Sequence, residues 1–387
     1  MSMIHGDVTP APGARTSSYP TVRIAGEARE RGRSYGEQAG ERVSMSIRGY
    51  EQAFRFYAGW GWDRVREEAL RFETPIVAAY PSYVEEMRGL AEGAQVPFAD
   101  VLAINVRTEI MFAGQARTAA RQRPPLECSA IGVLPELTVD GHTMLAQNWD
   151  WLEHCFETVV VLEVEQDDAP SFVTVVEAGL LAKAGLNEHG LGVCTNAMVT
   201  TLDVGEPGIP YHVLLRAFMD APTASDAISI AMAHRRSSSA NFLIGHADGI
   251  VMDLETRPGD RSHVRTLFPR DGLLLHTNHF LRDVGADELS IWSMPDSPIR
   301  LDRLTRELAA EPRPLKTETI SAALGDHGNH PYGICCHIAE SDVPEERAAT
   351  IVSVLMDLDD RRLWVAEGNP CTAPFREHDL RGLFGAS

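Results

Sequence analysis

The first third of the chain carries the apolar spacing of amphipathic helices. Residues 27–37 open a charged helix, and apolar positions then recur three and four residues apart. Further predicted helices cover residues 47–58, 63–80, 81–93 and 98–112. Pro97 and Asp100 favour a helix start near residue 97, because proline suits the first helical position and an acidic side chain suits the first turn. We therefore expect this part of the chain to be mainly helical.

After residue 125 the pattern changes to short β-rich runs separated by turn residues. The predicted strands cover residues 130–134, 142–149, 158–164, 172–177 and 180–186. Asp140-Gly141 and the stretch 187–190 are typical turn sequences between such runs. Connections this short leave no room for crossover helices, so we expect antiparallel pairing.

A second cycle of helices and strands completes the chain. Predicted helices cover residues 210–219, 224–233, 298–310 and 318–324. Predicted strands cover residues 241–245, 250–255, 273–277, 349–357 and 362–367. Such blocks of helices and strands indicate antiparallel sheets covered by helices, which is an α+β layered fold.

Composition and charge exclude several classes of partner. The 387 residues carry a formal net charge of −20, which repels nucleic acid and anionic membranes. The chain has no run of about eighteen apolar residues, as a membrane span requires. Its first thirty residues also lack the apolar core of a signal peptide. We expect a cytoplasmic protein with neither nucleic-acid nor membrane partners, and the sequence leaves its oligomeric state open.

The six cysteines lack the spacing of a zinc site or a disulfide framework. They are Cys128, Cys155, Cys194, Cys335, Cys336 and Cys371, without a Cys-x-x-Cys pair. In a reducing compartment we expect free thiols. The sequence therefore predicts no metal site and no cofactor.

Cys128 is the residue most indicative of chemistry. It opens a predicted strand directly after the polar, proline-containing stretch 121–125. If the chain is cut between Glu127 and Cys128, one residue carries both a thiol nucleophile and an α-amine that can act as its base. Taken alone, Cys128 also fits the commoner role of a small buried residue.

Four motifs relate Cys128 to a known family. They are GHTMLAQNWD at 141–150, LHTNHF at 275–280, HPYGIC at 330–335 and ERAAT at 346–350. With Cys128 and the segment RGRSYG at 31–36, the chain resembles the acyl-coenzyme A:6-aminopenicillanic acid acyltransferase family from about residue 20 to 375. That family consists of self-cleaving cysteine N-terminal-nucleophile enzymes.

The resemblance implies a four-layer αββα sandwich with an N-terminal helical segment. It divides the chain into a loose lead-in (1–20), a mainly helical fragment (21–127) and a catalytic fragment (128–387) that begins at Cys128. The two larger fragments are expected to stay associated after cleavage between Glu127 and Cys128. The best-known member has glycine where this chain has Glu127, so the rate and pH dependence of cleavage stay open.

The resemblance also implies roles for four residues. Cys128 matches the nucleophile, Asp150 the acid near the new α-amine, Asn278 the side-chain oxyanion donor and Arg347 the arginine of the site. The residue types suit this chemistry, because an α-amine with a pKa of about 7.7–8.0 can take the proton of a thiol with a pKa of about 8.5. Trp149, Tyr57 and Trp60 are weaker candidates for substrate binding, since each also suits simple packing.

These residues favour an enzyme that hydrolyses a small linear amide through an acyl-Cys128 thioester, or transfers its acyl group. One alternative is an N-acyltransferase of the same fold that depends on acyl-coenzyme A. Another is a metal-dependent amidohydrolase using His276, His279 and His327, although the chain lacks a His-Glu-x-x-His helix. A third is a non-catalytic relative that only binds a small molecule or a partner.

Overall fold

The computed structural model describes residues 19–118, 127–340 and 342–385, with the backbone alone at 115–118 and 127. Most of the expected lead-in (1–20) and the polar stretch 121–125 therefore lie outside the described residues. Tyr19 is buried, and its hydroxyl donates to the carbonyl of Ile351 at 2.7 Å. The start of the described chain is thus tied to its C-terminal part.

The described helices, in chain order, are α1 Ala28–Tyr57, α2 Trp62–Leu70, α3 Glu73–Ala79, α4 Pro81–Ala94, α5 Phe98–Asn105, α6 Arg107–Thr118, α7 Tyr211–Met219, α8 Ala224–Ala233, α9 Ser290–Ser293, α10 Ser297–Ala310, α11 Thr317–Ala323 and α12 Arg381–Phe384. The strands are β1 Thr21–Ile24, β2 Glu127–Val133, β3 Met144–Leu152, β4 Val159–Val164, β5 Phe172–Glu177, β6 Ala184–Asn187, β7 Leu191–Ala197, β8 Ala240–His246, β9 Ile250–Thr256, β10 Val264–Leu267, β11 Leu273–His276, β12 Ala348–Asp357, β13 Arg362–Glu367 and β14 Arg376–His378.

The N-terminal helices differ from the predicted ones in three places, one of which is the predicted helix 98–112, which ends at Asn105 and resumes as α6 at Arg107. The predicted helices 27–37 and 47–58 are parts of one 30-residue helix, α1, which packs closely along α4. A Cβ at Gly32 would lie 1.9 Å from the carbonyl oxygen of Glu86, so only glycine permits this approach of the two backbones. The predicted helix 63–80 is broken by a turn at 71–72 into α2 and α3.

The strands form two sheets. The larger sheet has eight strands in the order β1-β4-β5-β6-β7-β8-β9-β10, and the smaller has six in the order β11-β2-β3-β12-β13-β14. Every pairing is antiparallel except that of β1 with β4. The expected antiparallel pairing is therefore confirmed within each run of consecutive strands.

Helices cover the outer face of each sheet. The two sheets pack against each other through β2, β3 and β12 on one side and β6 and β7 on the other. Helices α7 and α8 lie on the larger sheet, and α10 lies on the smaller sheet at β2 and β11. The expected α+β four-layer αββα architecture with an N-terminal helical segment is confirmed.

The sequence pattern did not predict β1, β7, β10 or β14. Strand β7 is buried along its whole length, so it lacks the alternation of apolar and polar residues that marks a half-exposed strand. Strands β10 and β14 are short and lie at sheet edges. Among the described helices, none combines the length and apolar character needed to cross a membrane.

Candidate active site

Cys128 lies near the start of β2, beyond the end of its neighbour β11. Strand β11 stops at His276, which is opposite Ala130. On that edge of β2 the backbone of Cys128 therefore faces side chains instead of a strand, while its other edge pairs with β3. The Cys128 amide nitrogen donates to Oδ1 of Asn278 at 2.7 Å. The Cys128 carbonyl accepts from Nη1 of Arg300 at 2.8 Å. The cysteine is buried, with 5% of its surface exposed.

Asn278 is held in one orientation. Its backbone nitrogen donates to Oγ of Ser297 at 2.7 Å, and its Nδ2 donates to the carbonyl of Ala197 at 2.9 Å. Its Oδ1 accepts from Nη2 of Arg300 at 3.0 Å as well as from Cys128. The amide nitrogen of Asn278 carries a second hydrogen besides the one donated to Ala197, so the expected role of Asn278 as an oxyanion donor stays a prediction.

Arg300, on α10, is a site residue that the sequence analysis missed. Its guanidinium is buried and donates to Asp296 Oδ2 at 2.6 Å, to Ser129 Oγ at 3.1 Å and to the Cys128 carbonyl. Asn196 Nδ2 donates to the same carbonyl at 3.2 Å. In the sequence, Asp296 and Arg300 resemble an ordinary surface ion pair four residues apart on a helix, so spacing alone gave no sign of this role.

Arg347, the arginine expected from the family resemblance, lies elsewhere. Its side chain is 44% exposed, and its Nη1 is 3.7 Å from Oε2 of Glu153. Its backbone carbonyl accepts from the Glu153 nitrogen at 2.9 Å, just before β12 begins. In this structure Arg300, and not Arg347, contacts Cys128 and Asn278.

Asp150 is buried opposite Glu127 in the pairing of β2 with β3. Its Oδ1 accepts from the hydroxyl of Thr350 at 2.5 Å. Its Oδ2 has no hydrogen-bond partner among the residues that the structure describes. Burial raises the pKa of Asp150 to about 7, and the nearby Arg300 limits that rise. This carboxyl can therefore change its charge near neutral pH.

Trp149 and Lys183 lie on the same side of the smaller sheet as the Cys128 side chain. Trp149 is directly opposite Cys128 across β2 and β3. Lys183 is buried, and its Nζ is 3.9 Å from the centre of the Trp149 ring. A cavity of about 10 Å³ beside them is lined by Gln147, Trp149, Val175, Lys183, Ala184, Val352 and Val354. This space holds about one water molecule.

Lys183 affects the ionisation of Cys128. Burial raises the pKa of the Cys128 thiol to about 11, the positive charge of Lys183 opposes that rise, and the carboxyl of Asp150 adds to it. Burial in turn lowers the pKa of Lys183 to about 8. With its pKa raised to about 11, the Cys128 thiol is neutral at pH 7 in this structure. The sequence analysis missed Lys183 because a single lysine before a short strand has no distinguishing pattern.

The other two candidate substrate-binding residues lie at the C-terminal end of α1 and in the turn that follows it. Tyr57 is buried at the end of α1, and its hydroxyl donates to the carbonyl of Glu345 at 3.0 Å. Trp60 is buried as well, with the guanidinium carbon of Arg64 4.3 Å from the centre of its ring. Of the three aromatic candidates, Trp149 is the one that lies opposite Cys128.

The histidines of the metal-hydrolase alternative do not form one site. His276 is buried, with Nε2 3.0 Å from Glu255 Oε1. His279 has Nδ1 2.8 Å from Ser297 Oγ. Among the described residues, the group of possible metal ligands that includes His327 contains neither His276 nor His279. The metal-dependent amidohydrolase is therefore unsupported.

Comparison with known proteins identifies similar sequences. The sequence profile of the acyl-coenzyme A:6-aminopenicillanic acid acyl-transferase family matches residues 137–372, a segment that begins after Cys128. The chain is 27% identical to the acyl-coenzyme A:6-aminopenicillanic-acid-acyltransferase 40 kDa form of Emericella nidulans, over 79% of this chain and 80% of that protein. It is 24% identical to the β-alanyl-dopamine/carcinine hydrolase of Drosophila melanogaster, over 76% and 78%.

Two solved structures are similar at lower identity. A conjugated bile acid hydrolase mutant from Clostridium perfringens matches with a TM-score of 0.45 and 12% identity, covering 67% of this chain and 95% of that one. Penicillin V acylase from Agrobacterium tumefaciens matches with a TM-score of 0.43 and 14% identity, covering 67% and 88%.

Proposed function

The chain belongs to the acyl-coenzyme A:6-aminopenicillanic acid acyl-transferase family, and on that premise we propose that it is a self-cleaving enzyme with Cys128 as its N-terminal nucleophile. The family and the fold support an enzyme that acts on amides, either as an amidohydrolase or as an acyltransferase. The observation that carries the proposal is the placement of the Cys128 amide nitrogen 2.7 Å from Oδ1 of the fixed Asn278.

Self-cleavage releases the α-amine of Cys128. The thiol attacks the carbonyl carbon of Glu127, the peptide C–N bond breaks, and the nitrogen takes the thiol proton. Water then hydrolyses the resulting Glu127 thioester, leaving a carboxylate on Glu127 and a free thiol and amine on Cys128. Asp150 lies across the strand pair from Glu127, and its pKa of about 7 suits a group that exchanges protons during these steps.

The freed amine is positioned to act as the base in turnover. Oδ1 of Asn278, which accepts from the peptide nitrogen in the uncut chain, accepts from the amine afterwards. The amine takes the thiol proton, the thiolate attacks the substrate carbonyl, and the ammonium protonates the leaving amine. An acyl-Cys128 thioester remains and passes its acyl group to water.

Lys183 and Trp149 complete the surroundings of the thiol. The ammonium of Lys183 stabilises the thiolate that attacks the substrate. The indole nitrogen of Trp149 is buried without a hydrogen-bond partner among the described residues, which makes it a candidate donor to the oxyanion. The cavity beside these residues holds about one water, so acyl binding there requires rearrangement after cleavage.

Acyl transfer is a second candidate outcome, favoured by the 27% identity to the Emericella acyltransferase. It shares the acyl-Cys128 intermediate and differs only in whether an amine or water receives the acyl group. The Drosophila relative, named as a hydrolase of β-alanyl-dopamine and carcinine, supports hydrolysis of small amides that release an amine. The net charge of −20 is compatible with cationic substrates of this kind.

A substrate panel tests the proposed activity. Purified protein is incubated with carcinine, with β-alanyl-dopamine, and with an acyl-coenzyme A plus 6-aminopenicillanic acid, and the released amine or the new amide is quantified. Rapid acid quenching followed by intact mass measurement traps the acyl adduct on Cys128. The Cys128→Ala variant should form neither adduct nor product, while Cys194→Ala, which removes another buried thiol, should form both. Turnover by the Cys128→Ala variant would refute the proposal.

A further inference from the structure

Four side chains from two loops bring nitrogen and sulfur ligands together at one point. They are His327, Cys335, His337 and Cys371, whose ligand atoms all lie within 4.8 Å of one another. Nε2 of His337 is 3.1 Å from Nε2 of His327. The same atom is 3.4 Å from Sγ of Cys335 and 3.6 Å from Sγ of Cys371.

These separations are those of ligands around a tetrahedral zinc ion. Zn–S bonds of about 2.3 Å and Zn–N bonds of about 2.0–2.1 Å place nitrogen and sulfur about 3.6 Å apart and two nitrogens about 3.3 Å apart. The observed distances from His337 Nε2 to sulfur are 3.4 and 3.6 Å, and its distance to the nitrogen of His327 is 3.1 Å.

Hydrogen bonds alone explain this cluster poorly. In a neutral imidazole, each ring nitrogen offers either one N–H or one lone pair. Nε2 of His337 has three neighbours within 3.6 Å, so at most one of them is a good partner for it. A cation at the centre would bind all four ligand atoms at once, and a set of two sulfurs and two nitrogens at these separations is typical of zinc.

We propose that His327, Cys335, His337 and Cys371 bind one zinc ion in a structural site. Four protein ligands close the coordination sphere and leave no position for a reacting water, unlike in a catalytic zinc site. This proposal therefore differs from the unsupported metal-dependent amidohydrolase. It also departs from the sequence expectation of no metal site. That expectation rested on the missing Cys-x-x-Cys pair, whereas these ligands follow a His-x₇-Cys-x-His spacing with a fourth ligand 34 residues later.

The site joins two segments of chain that flank the smaller sheet. His327, Cys335 and His337 belong to the loop after α11, and Cys371 follows β13. Asn369 links the same two segments, since its Nδ2 donates to the carbonyl of Cys336 at 2.6 Å. Cys335 is buried whereas His327 and Cys371 are exposed, so the ion lies within reach of a chelator.

The loop that carries His327, Cys335 and His337 also contacts Thr350, which forms a hydrogen bond to Asp150. The Cys336 nitrogen donates to Oγ1 of Thr350 at 2.9 Å, and the Thr350 nitrogen donates to the carbonyl of Cys336 at 3.0 Å. The Thr350 hydroxyl in turn donates to Oδ1 of Asp150. Through these contacts, zinc helps to position Asp150. This role of zinc rests on the proposed function, but the binding of zinc does not.

Metal content tests the site without reference to activity. The full-length, tag-free protein is purified without chelator and analysed by inductively coupled plasma mass spectrometry, and metal-free protein is reloaded with Zn²⁺ or Co²⁺. We expect one zinc per chain, and thiolate-to-metal absorption bands with cobalt. Cys371→Ser and His337→Ala should lose both, while His330→Ala should retain them, because the ring of His330 lies 5.2 Å from that of His337 but outside the ligand set.

Three results would overturn the zinc site. They are wild-type protein that cannot be loaded with zinc, a Cys371→Ser variant with full zinc content, and a disulfide between Cys335 and Cys371 in freshly purified protein. The Cys128→Ala variant separates the two proposals, because it should bind zinc fully while neither cleaving itself nor turning over. If the positioning role holds, zinc removal slows cleavage of the wild type by up to about 100-fold, and reloading restores it.

Discussion

The amide nitrogen of Cys128 donates to Oδ1 of Asn278 across 2.7 Å. Ala197 and Ser297 fix the Asn278 side chain and backbone, so this oxygen is in place before any peptide bond is cut. In the proposed mechanism, this contact makes Asn278 the anchor of the α-amine that self-cleavage releases. Asn278 has two possible roles, as the anchor of the α-amine or as the oxyanion donor, and a loss of turnover alone does not distinguish them.

The pH profile of an Asn278→Ala variant tests the anchoring role. An oxygen that accepts from the ammonium favours the charged form, so its loss should lower the pKa of the α-amine. We expect kcat/KM to fall by about 100-fold and its acidic limb to move to lower pH. If the limb stays in place while kcat falls, Asn278 acts as the oxyanion donor that the sequence suggested.

Lysine substitutions at Arg300 and Arg347 identify the arginine of the site. Lysine keeps the positive charge but cannot reproduce the fork of donors that joins Arg300 to Asp296, Ser129 and the Cys128 carbonyl. We expect Arg300→Lys to slow self-cleavage and turnover at least about 10-fold more than Arg347→Lys. The exposed pair of Arg347 with Glu153 contributes about 0–1 kcal/mol to stability.

Fragment formation, followed by denaturing electrophoresis over time, provides the cleavage rates for these two variants, and thermal unfolding checks that both are folded. The opposite result, with Arg347→Lys inactive and Arg300→Lys active, would show that Arg347 is the arginine of the active site.

Removal of the Lys183 charge should raise the pKa of the Cys128 thiol. The ammonium favours the thiolate, so Lys183→Met should shift the alkylation of Cys128 by iodoacetamide to higher pH. Lys183→Arg keeps a cation and should retain most of the wild-type profile. Lys316→Met removes an exposed charge and serves as the matched control. Peptide mass mapping distinguishes the alkylation of Cys128 from that of the other cysteines. If the pH dependence of this alkylation is the same in the Lys183→Met variant and the wild type, Lys183 does not stabilise the Cys128 thiolate.

Asp150 should make the protein less stable as the pH rises. Its folded pKa of about 7 lies above the unfolded value of about 3.9. Between these values the folded state binds more protons, so this group's contribution to stability is complete below about pH 4 and is lost as the pH rises through 7. We therefore expect Asp150→Asn to exceed the wild type in stability at pH 8 and to match it at pH 4.

Urea unfolding at both pH values measures this difference. Other buried carboxyls contribute equally to the stability of the variant and the wild type, so their contribution drops out of the difference. The control is Asp168→Asn, at an exposed position. A variant that is less stable than the wild type at pH 8 would show that Asp150 is ionised and paired in the folded protein.

Regular patterns made most of the fold predictable. Strand β5 and helix α8 have the predicted bounds, because turn residues or changes in periodicity mark their ends. Strand β7 could not be predicted, since both of its faces are buried between other elements and its small residues carry no alternation. The break between α2 and α3 could have been predicted from Pro75, which has no N–H to donate to the carbonyl of Arg71 and would clash with that carbonyl in a continuous helix.

The site was predictable only where a residue belongs to a motif. Cys128, Asp150, Asn278 and Arg347 were predicted from the family resemblance. The structure brings Cys128 and Asn278 into contact and places Arg347 beside Glu153. Arg300 was missed because tertiary packing buries a pair that looks exposed in sequence. Lys183 was missed because nothing near it in sequence marks the cavity that it lines.

The intact mass of the purified protein under denaturing conditions tests the central claim most directly. The account predicts two fragments, the larger beginning at Cys128, and a single chain for Cys128→Ala. N-terminal sequencing of the larger fragment assigns the cut to the bond after Glu127. Wild-type protein that stays at 42.5 kDa after prolonged incubation would contradict self-cleavage at Cys128.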